Sequence, residues 1–237
     1  MPVELPYEIY SLGDSALTID FGNTIDPEIN QFVISLLDSL KQQPLVHCID
    51  LVPAFSSITI LYDPVAIEPE RGISAFEQMR KLVQGRLLQQ VPSKKKLDDL
   101  IEVPVCYDGI DMEQVMQKTG LDKARIIQLH QEPLYRVYMI GFLPGFPYMG
   151  KLPTPLLLPR KQDPQMVGPG TVAIAAMQTG IYPFHSPGGW WAIGRTPLLL
   201  FDVERDRPSL FKAGDQVKFK SVSTDEFNSI AHAHHRY

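Results

Sequence analysis

Residues 141–197 read GFLPGFPYMGKLPTPLLLPRKQDPQMVGPGTVAIAAMQTGIYPFHSPGGWWAIGRTP. This stretch is about a quarter of the chain, yet it carries nine of the sixteen glycines and ten of the twenty-one prolines. Proline locks φ and glycine reaches conformations closed to other residues, so such a segment specifies backbone shape. It is no disordered linker, because Phe142, Phe146, Tyr148, Leu156, Val172, Ile174, Ile181, Tyr182, Trp190 and Trp191 supply apolar surface to bury. Its basic residues Lys151, Arg160, Lys161 and Arg195 face Asp163 alone, a local balance of +3 in a chain of net −5. Shaped loops, aromatics and isolated positive charge predict a site for a small anionic group. A β-barrel with many tight turns and unrelated basic residues accounts for the same composition.

Working outward, the following runs Leu198–Asp202 and Gln216–Ser221 predict strands around a polar turn at Pro208 and Gly214-Asp215. The preceding run, Leu134–Ile140, predicts a strand that leads into the Gly/Pro segment. Before it, Asp111–Lys118 and Asp122–His130 predict two short helices, each opened by an aspartate and separated by Gly120. From Leu100 onward the pattern is that of an antiparallel barrel or sandwich. Toward the N-terminus the rhythm changes. Ser15–Phe21 predicts a strand hairpinned to residues 7–11 across Leu12-Gly13-Asp14. Asp26-Pro27-Glu28 opens a helix whose face is Ile29, Phe32, Val33, Leu36, Leu37 and Leu40. Strands follow at Val46–Val52 and Ile58–Tyr62, then a helix over 74–90 with Phe76, Met79, Val83 and Leu87 inward. With a further strand at Leu100–Cys106, this order is that of a small ferredoxin-like α/β unit. The lysine run Lys94–Lys96 predicts a solvated linker. The expected domains are therefore 1–95 and 96–237.

Composition excludes several classes. Net charge −5 argues against nucleic-acid binding. Cys48 and Cys106 give neither a disulfide framework nor a metal spacing, and the expected home is a reducing cytoplasm. No apolar run reaches membrane-spanning length. His232, His234 and His235 near the C-terminus have no supporting carboxylate or cysteine, so no metal site is expected. No phosphate-loop or dinucleotide fingerprint is present, so this chain shows no recognised means of binding ATP. General bases are scarce in the central segment: a His185–Ser186 pair would point to opposite faces, and Cys106 with His130 is a weaker nucleophile pair than a structural cysteine. No catalytic residue is assigned. Binding chemistry is richer: Arg160 and Arg195 are forks for a carboxylate or phosphate. Gly168-Pro169-Gly170, Gly188 and Gly189 offer backbone donors, and Gln178, Thr179, Tyr148 and Tyr182 offer neutral hydrogen bonds.

These residues resemble the family variously called allophanate hydrolase subunit 1, the B-type subunit of 5-oxoprolinase, and KipI. The likeness is carried by LGDSA at 12–16, PAFSSIT at 53–59, IEVPVCY at 101–107, GFLPGFPY at 141–148, Pro159-Arg160, QTGIYP at 178–183 and SPGGW at 186–190. Two departures stand out. Val167-Gly168-Pro169-Gly170-Thr171-Val172 replaces the family's V-P-A-G-S-V run, and Trp191 stands where a glutamine is common. The resemblance implies an α+β chain, with the α/β domain followed by a cyclophilin-like barrel. It implies a subunit of a bacterial ATP-dependent 5-oxoprolinase, hydrolysing 5-oxo-L-proline to L-glutamate with A- and C-type partner subunits. A second branch inhibits sensor histidine kinases. The expected ligand site has Phe146, Tyr148, Tyr182 and Trp190 as walls and Arg160 or Arg195 at one end, with Gln178, Thr179, Gly188 and Gly189 adding hydrogen bonds.

Overall fold

The computed structural model describes residues 5–68, 70–88 and 100–234. The chain divides into two compact units, 1–97 and 98–237. The expected linker at Lys94–Lys96, and the boundary placed beside it, lie outside the described residues.

The first unit runs β1 (Glu8–Ser11), β2 (Ala16–Asp20), α1 (Pro27–Gln42), β3 (Cys48–Pro53), β4 (Ser57–Tyr62) and α2 (Ala75–Leu88). Helix α1 starts where its local chemistry dictates. The Asp26 carboxylate accepts from the Glu28 and Ile29 amides at 2.8 and 3.2 Å, with Pro27 at the first helical position. Its buried face is Asn30, Val33, Leu36, Leu37 and Leu40. Met79 and Val83 of α2 join the same core, with Phe76 and Leu87 at its margin. The four strands form an antiparallel sheet in the order β1-β2-β4-β3. The place beside β2 belongs to β1, brought back by a short hairpin loop in which Gly13 takes φ +68°.

Strand β5 (Leu100–Val105), expected to complete that sheet, instead belongs to the second unit. It pairs in parallel with β13 (Gln216–Ser221). Between them lie α3 (Met112–Thr119), α4 (Lys123–Gln131), β6 (Tyr135–Ile140), β7 (Pro147–Gly150), β8 (Gln165–Val167), β9 (Thr171–Ala175), β10 (Gln178–Ile181), β11 (Ser186–Gly188) and β12 (Trp191–Arg195). Seven strands form one sheet, ordered β12-β9-β10-β7-β6-β13-β5, and β8 and β11 form a separate ribbon. Its two edges meet: Cys106, just after β5, and Arg195, at the end of β12, exchange reciprocal backbone hydrogen bonds of 2.9 Å. The sheet is thereby nearly closed into a barrel, antiparallel except for the β5–β13 pair. Parallel pairing needs a long connection, and here most of the unit lies between the two strands.

Two further expectations change. Leu198–Asp202 is not a sheet strand, because only Phe201 bridges, to Ser209. Its alternate leucines turn into the core instead, Leu200 buried and Leu198 partly so. The histidine-rich tail begins inside helix α5 (Thr224–His234), and His235 lies outside the described residues. Gly120 caps α3 with φ +71° and the Asp122 carboxylate caps α4 through the Arg125 amide, as their positions predict. Asp111 does not cap α3. Its carboxylate is engaged elsewhere.

Candidate functional site

Strand β10 divides the second unit. Alternation sends Thr179 and Ile181 to one face and Gln178 and Gly180 to the other. Ile181 lies in the main hydrophobic core with Val172, Ile174, Met149 and Ile193. Thr179 is fully buried; its hydroxyl bonds His130 Nε2 at 2.9 Å and donates to the Ala173 carbonyl at 3.1 Å. His130 Nδ1 meets the Tyr107 hydroxyl at 2.8 Å. Burial alone drives the His130 pKa down to about 3, so the imidazole is neutral. The Tyr107 phenol is pushed far up, first by burial and then by neighbouring Tyr135.

The opposite face packs into a second cluster: Phe146, Val167, Ala173, Ala175, Tyr182 and Trp190, with Leu143 and Tyr148 beside it. The GFLPGFPY loop delivers Phe146 through a turn over Leu143–Phe146. The Phe146 amide donates to the Leu143 carbonyl at 3.0 Å; Pro144 fills the second position and Gly145, φ +81°, the third. Edge-to-face contacts then hold the rings: Phe146 lies 4.8 Å from Tyr148, 5.1 Å from Tyr182 and 5.6 Å from Trp190. Gly180 is glycine because Phe146 lies over it; an added Cβ would sit 2.7 Å from the ring. At Gly188 an added Cβ would come 2.8 Å from the Tyr182 hydroxyl.

Phe146, Tyr182 and Trp190 are almost wholly buried and serve as backing rather than as open walls. Solvent meets half-buried Tyr148 and exposed Phe142. Phe142, 62% exposed, sits at φ +69°, a left-handed backbone unusual for an aromatic residue. Its ring stands edge-on to Phe146 and Tyr182 at 5.7 and 6.4 Å. Arg160 is exposed and has no ion-pair partner among the described residues. Arg160 lies between Pro159, whose carbonyl accepts from Trp191 Nε1, and Lys161, whose amide donates to the Gly189 carbonyl, so its backbone runs along the segment that carries Trp190. Burial raises the pKa of both Tyr148 and Tyr182, and the Arg160 charge opposes it at each. Gln178, on the Gly180 face, has its Nε2 buried without a hydrogen-bond partner.

Four expected site residues take other roles. Arg195 is committed elsewhere: its guanidinium forks onto the Asp108 carboxylate at 2.9–3.2 Å and lies 4.5 Å over the Phe227 ring. Thr179 turns into the core, as strand alternation requires. Gly188 pairs with Gln165 in the β8–β11 ribbon, and the Gly189 carbonyl accepts from the Lys161 amide at 2.8 Å. In Gly168-Pro169-Gly170, Gly170 packs so tightly that an added Cβ would meet the Thr196 carbonyl at 2.3 Å. Neither alternative nucleophile pair forms: the Ser186 hydroxyl bonds Pro187 O, and the Cys106 thiol contacts the Thr224 hydroxyl at 3.8 Å.

The sequence reading missed one buried ion pair. Lys161 Nζ donates to Asp111 Oδ2 at 2.7 Å with their side chains 6% and 1% exposed, and the same oxygen accepts from the Ala192 amide at 2.8 Å. Fifty residues separate the partners, and only an aspartate at the start of a short helix hinted at it. Trp191 lies beside this pair, buried, with Nε1 donating to the Pro159 carbonyl at 2.7 Å. Among the described residues no group of three or more His, Cys, Asp or Glu side chains is placed to hold a metal, and no helix is long and apolar enough to cross a membrane.

A family model described as carboxyltransferase domain, subdomain C and D, matches residues 7–211. The chain belongs to this family. A relative in Bacillus subtilis (strain 168), named as the B-type subunit of 5-oxoprolinase, is 38% identical over 230 residues, covering 94% of this chain and 96% of its own. The Haemophilus influenzae protein of the same name is 47% identical over 152 residues, 61% of this chain and 70% of its own. The solved structure of TTHA0988 superposes with a TM-score of 0.77 at 34% identity over 88% of this chain. That chain is longer, and the present one spans 40% of it. The name of the two relatives is among those of the family recognised in the GFLPGFPY, QTGIYP and SPGGW blocks.

Proposed function

We propose that this chain is the B-type subunit of an ATP-dependent 5-oxoprolinase, a hydrolase that opens the lactam of 5-oxo-L-proline to give L-glutamate with ADP and phosphate. The observation that carries the reading is the near full-length match to relatives bearing that name. The site chemistry agrees. An exposed guanidinium with no ion-pair partner among the described residues, its charge felt at Tyr148 and Tyr182, suits a small ring carrying a carboxylate, the arginine gripping the anion and the aromatic edges flanking the ring. On this reading the chain contributes recognition of the substrate, and no proton-transfer residue is assigned to it among the described residues. The remaining chemistry is then assigned to partner subunits of A and C type, with ATP bound and spent by the assembly.

The fold reads accordingly. In the first unit the N-terminal hairpin strand fills the fourth place of a ferredoxin-like sheet; the second unit is a cyclophilin-like barrel. A cytoplasmic location fits both the two free cysteines and the substrate.

Reconstitution tests this. Purified with its partner subunits, the chain should support 5-oxoproline hydrolysis only when ATP is added. Full activity from the other subunits alone overturns the reading. Tight binding to a histidine-kinase dimerisation domain without oxoprolinase activity would move the chain to the kinase-inhibitor branch.

A further inference from the structure

Arg160 owes its setting to its neighbours. Residues 158–161 form a strap pinned at successive points. The Ala176 amide donates to the Leu158 carbonyl at 2.6 Å and Trp191 Nε1 to the Pro159 carbonyl at 2.7 Å. On the far side of Arg160, the Lys161 amide donates to the Gly189 carbonyl at 2.8 Å, and its ammonium is buried against Asp111. That ammonium also lies 5.8 Å from the Trp191 ring centroid. Residues 159 and 161 are thus tied to the two neighbours of Trp190, whose ring packs on Tyr148, while the side chain between them is exposed.

A buried ion pair is an expensive way to hold a loop, because apolar residues of similar volume usually serve stability as well or better. Its distinctive contribution is geometric: a short charged hydrogen bond fixes one direction. We propose that the buried Lys161–Asp111 pair makes Lys161 a positioning residue for Arg160, holding the strap so that the guanidinium is preorganised for the carboxylate of the substrate. This rests on the reading of Arg160 as the anion-binding group. Preorganisation matters because an arginine that must be ordered on binding gives up part of its contact energy, about two- to tenfold in affinity.

The test uses the chain assembled with its partner subunits, 5-oxo-L-proline as substrate and 2-pyrrolidinone, the same lactam without a carboxylate, as competitive inhibitor. The double variant Lys161→Met/Asp111→Asn removes both charges yet keeps an oxygen for the Ala192 amide, so it should fold. Its KM for 5-oxoproline should rise about three- to tenfold, while the inhibition constant of 2-pyrrolidinone moves less than about twofold. An unchanged KM overturns the proposal, and so does a parallel rise in both constants, which marks a general structural role. Arg160→Ala separates the two layers. If it leaves KM unchanged, the anion reading falls and this proposal with it. If it raises KM while the double variant does not, only the positioning role falls. Should the double variant not fold, Trp191→Phe loosens the strap from its other end by deleting the bond to Pro159. The same selective rise in KM is expected, and an unchanged KM in that folded variant overturns the proposal.

Discussion

The two faces of strand β10 differ in their polar chemistry. On the core face, the Thr179 hydroxyl, both His130 nitrogens and the Tyr107 hydroxyl form one connected network. On the aromatic face, Gln178 Nε2 is buried without a partner, Arg160 stands without a carboxylate among the described residues, and Phe142 sits exposed in a left-handed backbone. Satisfied buried networks rigidify a fold. Unsatisfied groups and backbone strain lower stability and persist at sites that something else completes. The contrast supports the proposed site on the aromatic face, although the core face has an orphan of its own: the Tyr135 hydroxyl, whose ring packs on His130, is buried without a hydrogen-bond partner.

Substitution should break the two faces differently. The largest effect belongs to the aromatic face. Arg160→Ala removes a charged hydrogen-bonding partner worth about 1.5–3 kcal/mol, so KM for 5-oxoproline in the assembled enzyme should rise about ten- to hundredfold. Its melting temperature should stay near that of the parent chain, as expected of an exposed residue without an ion pair among the described residues. Unaltered kinetics would remove Arg160 from the site.

On the core face the readout is acid stability. Unfolded, His130 takes up a proton near pH 6.5; folded, burial delays this to about 3. Between those values the unfolded chain binds more protons, so His130's contribution is fully present above pH 6.5 and is lost as pH falls. The slope is about 1.4 kcal/mol per pH unit, which amounts to about 2 kcal/mol between pH 6.5 and 5. Urea unfolding at pH 7.5 and 5.0 measures it, and His130→Gln should flatten the difference. The same loss in both proteins would show that His130 does not titrate this way.

The smallest effect is expected at the barrel seam. The Arg195–Asp108 pair is part-exposed, with side chains at 47% and 38%, and its guanidinium covers Phe227. Arg195→Ala should cost about 1 kcal/mol of stability and leave KM unchanged. A KM effect rivalling that of Arg160→Ala would merge seam and site, and the contrast between the two arginines would fail.

The sequence by itself determined whatever acts across a few residues. Asp26 and Pro27 start α1, Gly120 stops α3, and Pro144-Gly145 turns the loop that carries Phe146, because caps and turns are made by neighbours along the chain. The apolar periodicity of α1 likewise marked its buried face. Only the tertiary structure decided matters that depend on a distant partner. Arg160 and Arg195 look equivalent as residues, and the difference is Asp108, eighty-seven positions from Arg195, with Phe227 beyond it. Asp111 reads as a helix cap until Lys161 arrives to claim it. Strand β5 looks like the close of the first unit, but its ladder partner lies at Gln216–Ser221. A backbone hydrogen bond or an ion pair is equally favourable with many partners of the same chemistry. Which partner is present depends on loop closures and packing spread over the whole chain, and no local pattern records that choice.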